Sequence, residues 1–125
     1  MTLLLIGAGG AAGAIARYLV DQVVTSQLAA RFPWGILVVN VSGSFLVGLV
    51  FALSAGRQVL PESIRPPLLI GFLGAYTTFS TLTLDSWRLV EEGSYVLAAA
   101  NVLGSIAVGL VAVVAGLAVG RLIAG

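Results

Sequence analysis

Four apolar segments of membrane-spanning length fill most of this chain, and they constrain its fold more than any other feature. They cover about residues 3–24, 34–55, 67–89 and 95–123. Each is long enough to cross about 30 Å of hydrocarbon at about 1.5 Å per helical residue. The links between them are too short for a soluble domain, and 59% of the 125 residues are hydrophobic. The sequence therefore predicts an all-α membrane protein, with residues 1–125 forming a single four-helix domain.

The third apolar segment is interrupted at its centre. It reads PLLIGFLGAYTTFSTLTLDSWR from Pro67 to Arg88. The run from Gly74 to Thr78 consists largely of poor helix formers and contains two adjacent hydroxyls. A helix break at membrane depth is tolerated where the freed backbone groups face protein, water or an ion. We therefore expect the third helix to be broken in mid-membrane and to carry the function.

Composition excludes several functional classes. Cysteine and histidine are both absent, which removes disulfides, thiol catalysis and nearly all zinc sites. A net charge of +1 provides no basic patch for nucleic acid. The first apolar segment has no basic residue ahead of it, so we expect a retained helix rather than a cleaved signal peptide.

The arginines give almost no bias in orientation. Four spans place both termini on one side of the membrane, and the six arginines divide equally between that side (Arg57, Arg65, Arg121) and the other (Arg17, Arg31, Arg88). Two interpretations fit the positive-inside rule. In one, a single arginine or a pair sets the orientation despite the equal count; in the other, the chain inserts in both orientations and pairs antiparallel. We expect a dimer in either case, because four short helices have little interior of their own.

The polar groups within the segments are neutral and can donate hydrogen bonds: Asn40, Ser44, Thr77, Thr78, Ser80, Thr81, Asn101 and Ser105. No acidic or basic residue is expected at mid-depth, which argues against a proton-coupled pump and against an acidic cation filter. Neutral donors suit a small anion, and the positive edge of the Phe79 ring adds to them. Carbonyls freed near Gly74 and Thr77 have the opposite polarity and suit a small cation.

Purely structural roles stay open for several of these residues. Asn40, Asn101 and Ser105 could equally join neighbouring helices through hydrogen bonds. Arg17 follows Gly9 and Gly13 at four-residue spacing. It is either a snorkelling interface residue or a cation that attracts anions to a pore mouth.

Three motifs resemble the CrcB/Fluc family of fluoride channels, and the resemblance extends over essentially the whole chain. They are GGAAGAIARY (Gly9 to Tyr18), FPWGILVVNVSGSFLVG (Phe32 to Gly48) and GFLGAYTTFSTL (Gly71 to Leu82). The resemblance implies a multi-pass channel of the cell membrane that exports cytoplasmic fluoride by passive electrodiffusion. It also implies an antiparallel dual-topology dimer with two pores, each built from both subunits.

The same resemblance implies particular site residues. The pore positions fall on Asn40, Phe79, Ser80 and Thr81, with Ser105 a looser match on the last helix, and the vestibule arginine falls on Arg17. A structural sodium ion at the dimer centre would be bound by backbone carbonyls of Gly74 and Thr77 from each subunit.

Leu82 is the main departure from the family pattern. Members usually read TTFSTF, so their second pore phenylalanine falls on Leu82. A homodimer would then have one ring in each pore. It could conduct with one ring, conduct at a different rate or selectivity, or require a paralogue that supplies the missing ring. Asp85 also stands where members commonly carry Glu.

Two rival functions follow from these departures and from the chain's size. One is an accessory subunit that is active only beside a paralogue. The other is a small dual-topology multidrug exporter, which has a similar length. An exporter would need a carboxylate inside the first helix, whereas Asp21 is expected near the end of that helix.

Overall fold

The computed structural model describes residues 1–55 and 59–125, and this part of the chain is helical, with no strand. Four spans within it are long and apolar enough to cross a membrane, which confirms the predicted number. The elements are α1 (Thr2–Leu28), α2 (Trp34–Ser54), a π-helical segment (Pro67–Leu73), α3 (Gly74–Tyr76), α4 (Phe79–Glu91) and α5 (Tyr95–Ala124). Arg57, which entered the count of arginines, lies outside the described residues.

The two halves of the third span, Pro67–Glu91, have different neighbours. The π-helical segment and α3 pack on α1, whereas α4 packs on α5. Between the halves, Thr77 (φ −81°, ψ 153°) and Thr78 (φ −148°, ψ 118°) are extended. The change of neighbouring helix coincides with these two extended residues.

Glycines bring α2 and α5 into close contact. A Cβ added to Gly48 would collide with the Val113 carbonyl oxygen, and one added to Gly116 would collide with the Phe45 carbonyl oxygen. Small residues at such crossings allow the backbones of membrane helices to approach closely. The buried apolar residues accordingly concentrate on α2: Ile36, Val39, Val50 and Ala52.

The outer surface is strongly apolar. Leu3, Val96 and Leu122 are each more than 80% exposed, and Gly13 is the buried residue of α1. Contiguous apolar surface of this kind is rare on soluble monomers, and it suits contact with lipid chains or with another membrane helix. The surface and the four spans identify a multi-pass membrane protein.

Candidate functional site

Asn40 binds the extended backbone between the two halves of the third span. Thr78 donates its N–H to Asn40 Oδ1 at 2.8 Å, and Asn40 Nδ2 donates to the Thr78 carbonyl oxygen at 3.1 Å. Thr78 is 7% exposed, so these backbone groups would otherwise lack water or helical partners, at a considerable free-energy cost. We call this pair of bonds the Asn40–Thr78 clamp. It leaves one amide N–H of Asn40 available to a ligand.

The Thr78 side chain begins α4. Its Oγ1 accepts the Thr81 N–H at 3.2 Å, the usual role of a threonine at a helix N-cap. The same hydroxyl donates to Thr81 Oγ1 at 3.1 Å and lies 3.3 Å from Ser80 Oγ. Three hydroxyls are therefore grouped at the start of α4, next to the clamp.

A cavity of about 300 Å³ opens beside the clamp, and we call it the neutral cavity. None of its described lining residues is charged: Asn40, Ser44, Val47, Thr77, Thr78, Phe79, Leu82, Ser105, Ile106 and Val113. The Phe79 side chain is 78% exposed, whereas Leu82 is 8% exposed. One wall of the cavity is therefore a phenyl ring that the rest of this chain leaves largely uncovered.

A second pocket, of about 370 Å³, lies at the end of the molecule where α1 finishes and α2 begins, and we call it the charged pocket. Its lining includes Asp21, Arg31, Thr81, Asp85 and Arg88. The Arg88 and Asp85 side chains approach to 3.8 Å. Thr78 lines the neutral cavity and is hydrogen-bonded to Thr81, which lines the charged pocket, so the three hydroxyls at the start of α4 lie between the two spaces.

The expected pore residues are thus divided between these spaces. Asn40, Phe79 and Ser105 line the neutral cavity, and Thr81 lines the charged pocket. Ser80 lines neither space but its hydroxyl lies beside that of Thr78. Leu82, at the departure from the family pattern, also lines the neutral cavity.

The remaining expected residues lie elsewhere. Arg17 is half-buried on α1 and lines neither space. Gly74 is exposed, and a Cβ at this position would have ordinary contact with the Leu69 carbonyl alone. Thr77 is half-buried and extended at ψ 153°, which turns its carbonyl out of the helical direction. Gly74 is therefore uncovered by the described part of this chain, whereas Thr77 is partly covered.

Asn101 supports the wall of the neutral cavity from behind. It is 1% exposed, and its Nδ2 donates to Ser86 Oγ at 2.9 Å. Ser86 in turn donates to the Leu82 carbonyl at 2.7 Å. Asn101 Oδ1 and Ser105 Oγ are buried without a partner in the part of the chain that the structure describes. Two polar atoms are therefore available here to water or to an ion.

Sequence reasoning missed some of the polar residues that hold this region together. Ser86, which binds Asn101 of the last helix, was not among the predicted residues. A further polar residue within the third apolar segment was the signal that could have indicated it. Ser42 and Tyr76 share a hydrogen bond of 2.9 Å beside the extended segment. They are 34 residues apart, and nothing in their spacing indicates the contact.

Asp21 and Thr25 pack against the beginning of α2. A Cβ added to Gly35 would collide with Asp21 Oδ1 and approach Thr25 Oγ1 to 2.9 Å. The N-terminal N–H groups of a helix favour a negative charge, and α2 has no side-chain cap of its own. The Asp21 carboxylate accepts a hydrogen bond from Thr25 Oγ1 at 3.2 Å and lies beside the first turn of α2.

Known proteins similar to this chain are channels. A family model described as CrcB-like protein, Camphor Resistance (CrcB), matches residues 4–117. A relative from Magnetococcus marinus, named fluoride-specific ion channel FluC, is 46% identical over 98% of this chain and 100% of its own length. A relative of the same name from Nitrobacter winogradskyi is 44% identical over 97% of this chain and 96% of its own length. Another, from Solibacter usitatus, is 46% identical over 90% of this chain and 93% of its own length. Because the family model and these relatives match most of its length, the chain belongs to the CrcB-like family.

Proposed function

We propose that this protein is a fluoride-selective channel that lets fluoride leave the cytoplasm passively across the cell membrane. The structural observation that carries the proposal is the neutral cavity, whose polar lining consists of uncharged hydrogen-bond donors beside a phenyl ring. The names of relatives that match nearly the whole chain support the same ion. No catalytic group is required, because the function is transport rather than an enzymatic reaction.

Conduction requires groups that replace the water around fluoride without holding the ion too tightly. The free N–H of Asn40 and the hydroxyls of Ser80, Thr81 and Ser105 are such donors. The edge of the Phe79 ring is electropositive and can contact an anion. Neutral donors form a shallower electrostatic well than a buried arginine would, so the ion can leave again. Arg17 would raise the local anion concentration at the mouth of the pore.

The pore is expected to be completed by a second copy of the chain in an antiparallel dual-topology dimer. Phe79 is 78% exposed although it lines the neutral cavity. α1 has a single buried residue, Gly13. A second subunit on this side would cover the ring and close the cavity, and the equal division of arginines permits either orientation.

The extended residues Thr77 and Thr78 are proposed to form the mid-membrane break of the third span. A structural sodium ion would bind the carbonyl oxygens of Gly74 and Thr77 from each subunit. The donor set fits a hard cation, because carbonyl oxygens are suitable ligands. Among the described residues, no group of three or more His, Cys, Asp or Glu side chains could hold a metal ion. The ion would join the two subunits.

Fluoride efflux from proteoliposomes tests the main proposal. We expect the purified chain to release fluoride rapidly and to retain chloride. Phe79→Ile and Asn40→Asp should both lower the fluoride flux, because one removes the electropositive ring edge and the other places a negative charge in the cavity. Fluoride release no faster than from empty liposomes, or equal release of chloride, would contradict a fluoride-selective channel.

A heterodimer with a paralogue is the second candidate. The observation that favours it is Leu82, which lines the neutral cavity where the family pattern has a phenylalanine. Fluoride efflux by the purified chain alone would refute this requirement. A multidrug exporter has less support, because the chain belongs to the CrcB-like family and because Asp21 lies in the charged pocket near the end of α1, where it packs against the first turn of α2. Proton-driven uptake of a cationic dye would be needed to revive it.

A further inference from the structure

A groove of about 340 Å³ lies at the other end of the molecule, beside the last turns of α2 and α5. Arg121 is the charged residue among its described lining, and the remaining lining is apolar or glycine: Phe51, Ala52, Ala55, Leu117, Ala124 and Gly125. We call it the arginine groove. It is remote from the charged pocket, which lies where α2 begins.

The groove exists because α5 continues past the end of α2. Gly120 packs on Ala52, where an added Cβ would come within 2.6 Å of the Ala52 Cβ. α2 then ends at Ser54, and Ala55 is already extended (φ −94°, ψ 152°). α5 runs on to Ala124. The last turn of α5 therefore has an apolar side that the described residues leave uncovered, with Arg121 at its edge.

A second arginine, in the link before the third span, contacts a ring that lines the groove, although it is not itself part of the lining. The Arg65 guanidinium carbon lies 5.5 Å from the centre of the Phe51 ring. This cation–π contact restricts the Arg65 side chain. Phe51 is 49% exposed and also lines the groove, so the ring that Arg65 contacts faces the space beside Arg121.

We propose that the arginine groove binds a phospholipid with an anionic headgroup, such as phosphatidylglycerol. The guanidinium groups of Arg65 and Arg121 would contact the phosphate, and one acyl chain would lie along Phe51 and Leu117. Guanidinium groups match phosphate oxygens in charge and geometry. Basic groups beside apolar grooves between membrane helices are suited to anionic lipid headgroups.

Charge in the immediate surroundings is compatible with this occupant. No described acidic side chain lines the groove. Arg121 lies in the last turn of α5, where the negative end of the helix dipole stabilises the guanidinium group and offsets part of its attraction for a phosphate. An arginine that only snorkelled to the interface would need neither the groove nor the shared ring.

Lipid retention tests the proposal independently of fluoride conduction. The full chain is reconstituted in vesicles of equal parts phosphatidylcholine and phosphatidylglycerol, extracted in mild detergent, and examined by native mass spectrometry. We expect phosphatidylglycerol to be retained in preference to phosphatidylcholine. Arg121→Gln and Arg65→Gln should each lower this retention about fivefold. Arg121→Lys should keep part of it, because the charge is preserved.

Arg31→Gln is the matched control, since it removes one arginine at the opposite end of the helices. It should leave phosphatidylglycerol retention unchanged. Equal retention of the two lipids by the unmodified chain would overturn the proposal. So would an equal loss in Arg31→Gln, which would indicate general electrostatic attraction. Displacement of the lipid by glycerol phosphate would show that the groove adds nothing to headgroup binding, and would also overturn it.

Discussion

Replacing Asn40 with alanine should destabilise the protein through the backbone of Thr78. The clamp consists of two hydrogen bonds, of 2.8 and 3.1 Å, to a residue that is 7% exposed. Removing the amide leaves two buried backbone groups unpaired, and each costs about 1–3 kcal/mol. Water entering the enlarged cavity would offset part of this loss. We expect Asn40→Ala to lower the free energy of unfolding by about 2–5 kcal/mol.

Thermal unfolding in detergent, followed by the fluorescence of Trp34 and Trp87, measures this loss. The unfolding temperature should fall by on the order of 10 °C. Ser44→Ala is the matched control, because Ser44 lies one turn later on α2 and lines the same cavity but takes no part in the clamp. We expect its unfolding temperature to stay within a few degrees of the unmodified protein.

Asn40→Asp separates the structural role of this residue from its proposed contact with fluoride. The aspartate can still accept the Thr78 N–H, but it loses the donor to the Thr78 carbonyl and adds a negative charge to the cavity. Fluoride efflux should therefore fall at least tenfold, which corresponds to a conduction barrier raised by about 1.4 kcal/mol or more. The unfolding temperature should fall less than in Asn40→Ala. Normal unfolding of Asn40→Ala together with normal efflux by Asn40→Asp would refute the reasoning.

Three further variants test other parts of the structure. Leu82→Phe adds a ring to the neutral cavity and should raise fluoride efflux or fluoride-over-chloride selectivity, measured in proteoliposomes; an unchanged rate and selectivity would contradict a ring-deficient pore. Gly13→Ala should destabilise the protein by about 1–3 kcal/mol, because the new Cβ would lie 2.9 Å from the Phe72 carbonyl carbon. Gly7→Ala is its control: a Cβ at Gly7 meets nothing within 4 Å, so this variant should unfold at no lower temperature than the unmodified protein. Asn101→Ala removes the donor to Ser86. It should lower the unfolding temperature by several degrees, because the protein loses packing and a buried hydrogen bond of about 1 kcal/mol. An unchanged unfolding temperature would argue that Asn101 does not support the cavity wall.

The all-helical fold with four spans could be predicted from the sequence because lipid imposes a simple requirement. Every backbone polar group in hydrocarbon must be paired within the segment, so a long apolar run can hardly be anything but a helix. The same argument marked the run from Gly74 to Thr78 as exceptional. It could not show which group pairs with the extended backbone, since Asn40 and Thr78 are 38 residues apart.

The candidate site was only partly predictable for a similar reason. Asn40 and Asn101 are both amides within apolar segments, and sequence reasoning assigned them the same open alternatives. Their surroundings differ: Asn40 lines the neutral cavity and binds backbone, whereas Asn101 binds Ser86 behind the cavity wall. Helix rotation and crossing set this difference, and neither can be read from the spacing within one helix.

The sequence by itself determined the class of protein, the number of spans and the neutral character of the polar groups within them, because these follow from composition along each segment. The tertiary structure decided which of those groups meet. It placed the extended Thr78 against Asn40, directed the two halves of the third span to different helices, and left Phe79 uncovered. Contacts between distant segments depend on how closely helices pack, and here glycines such as Gly48 and Gly116 set that distance.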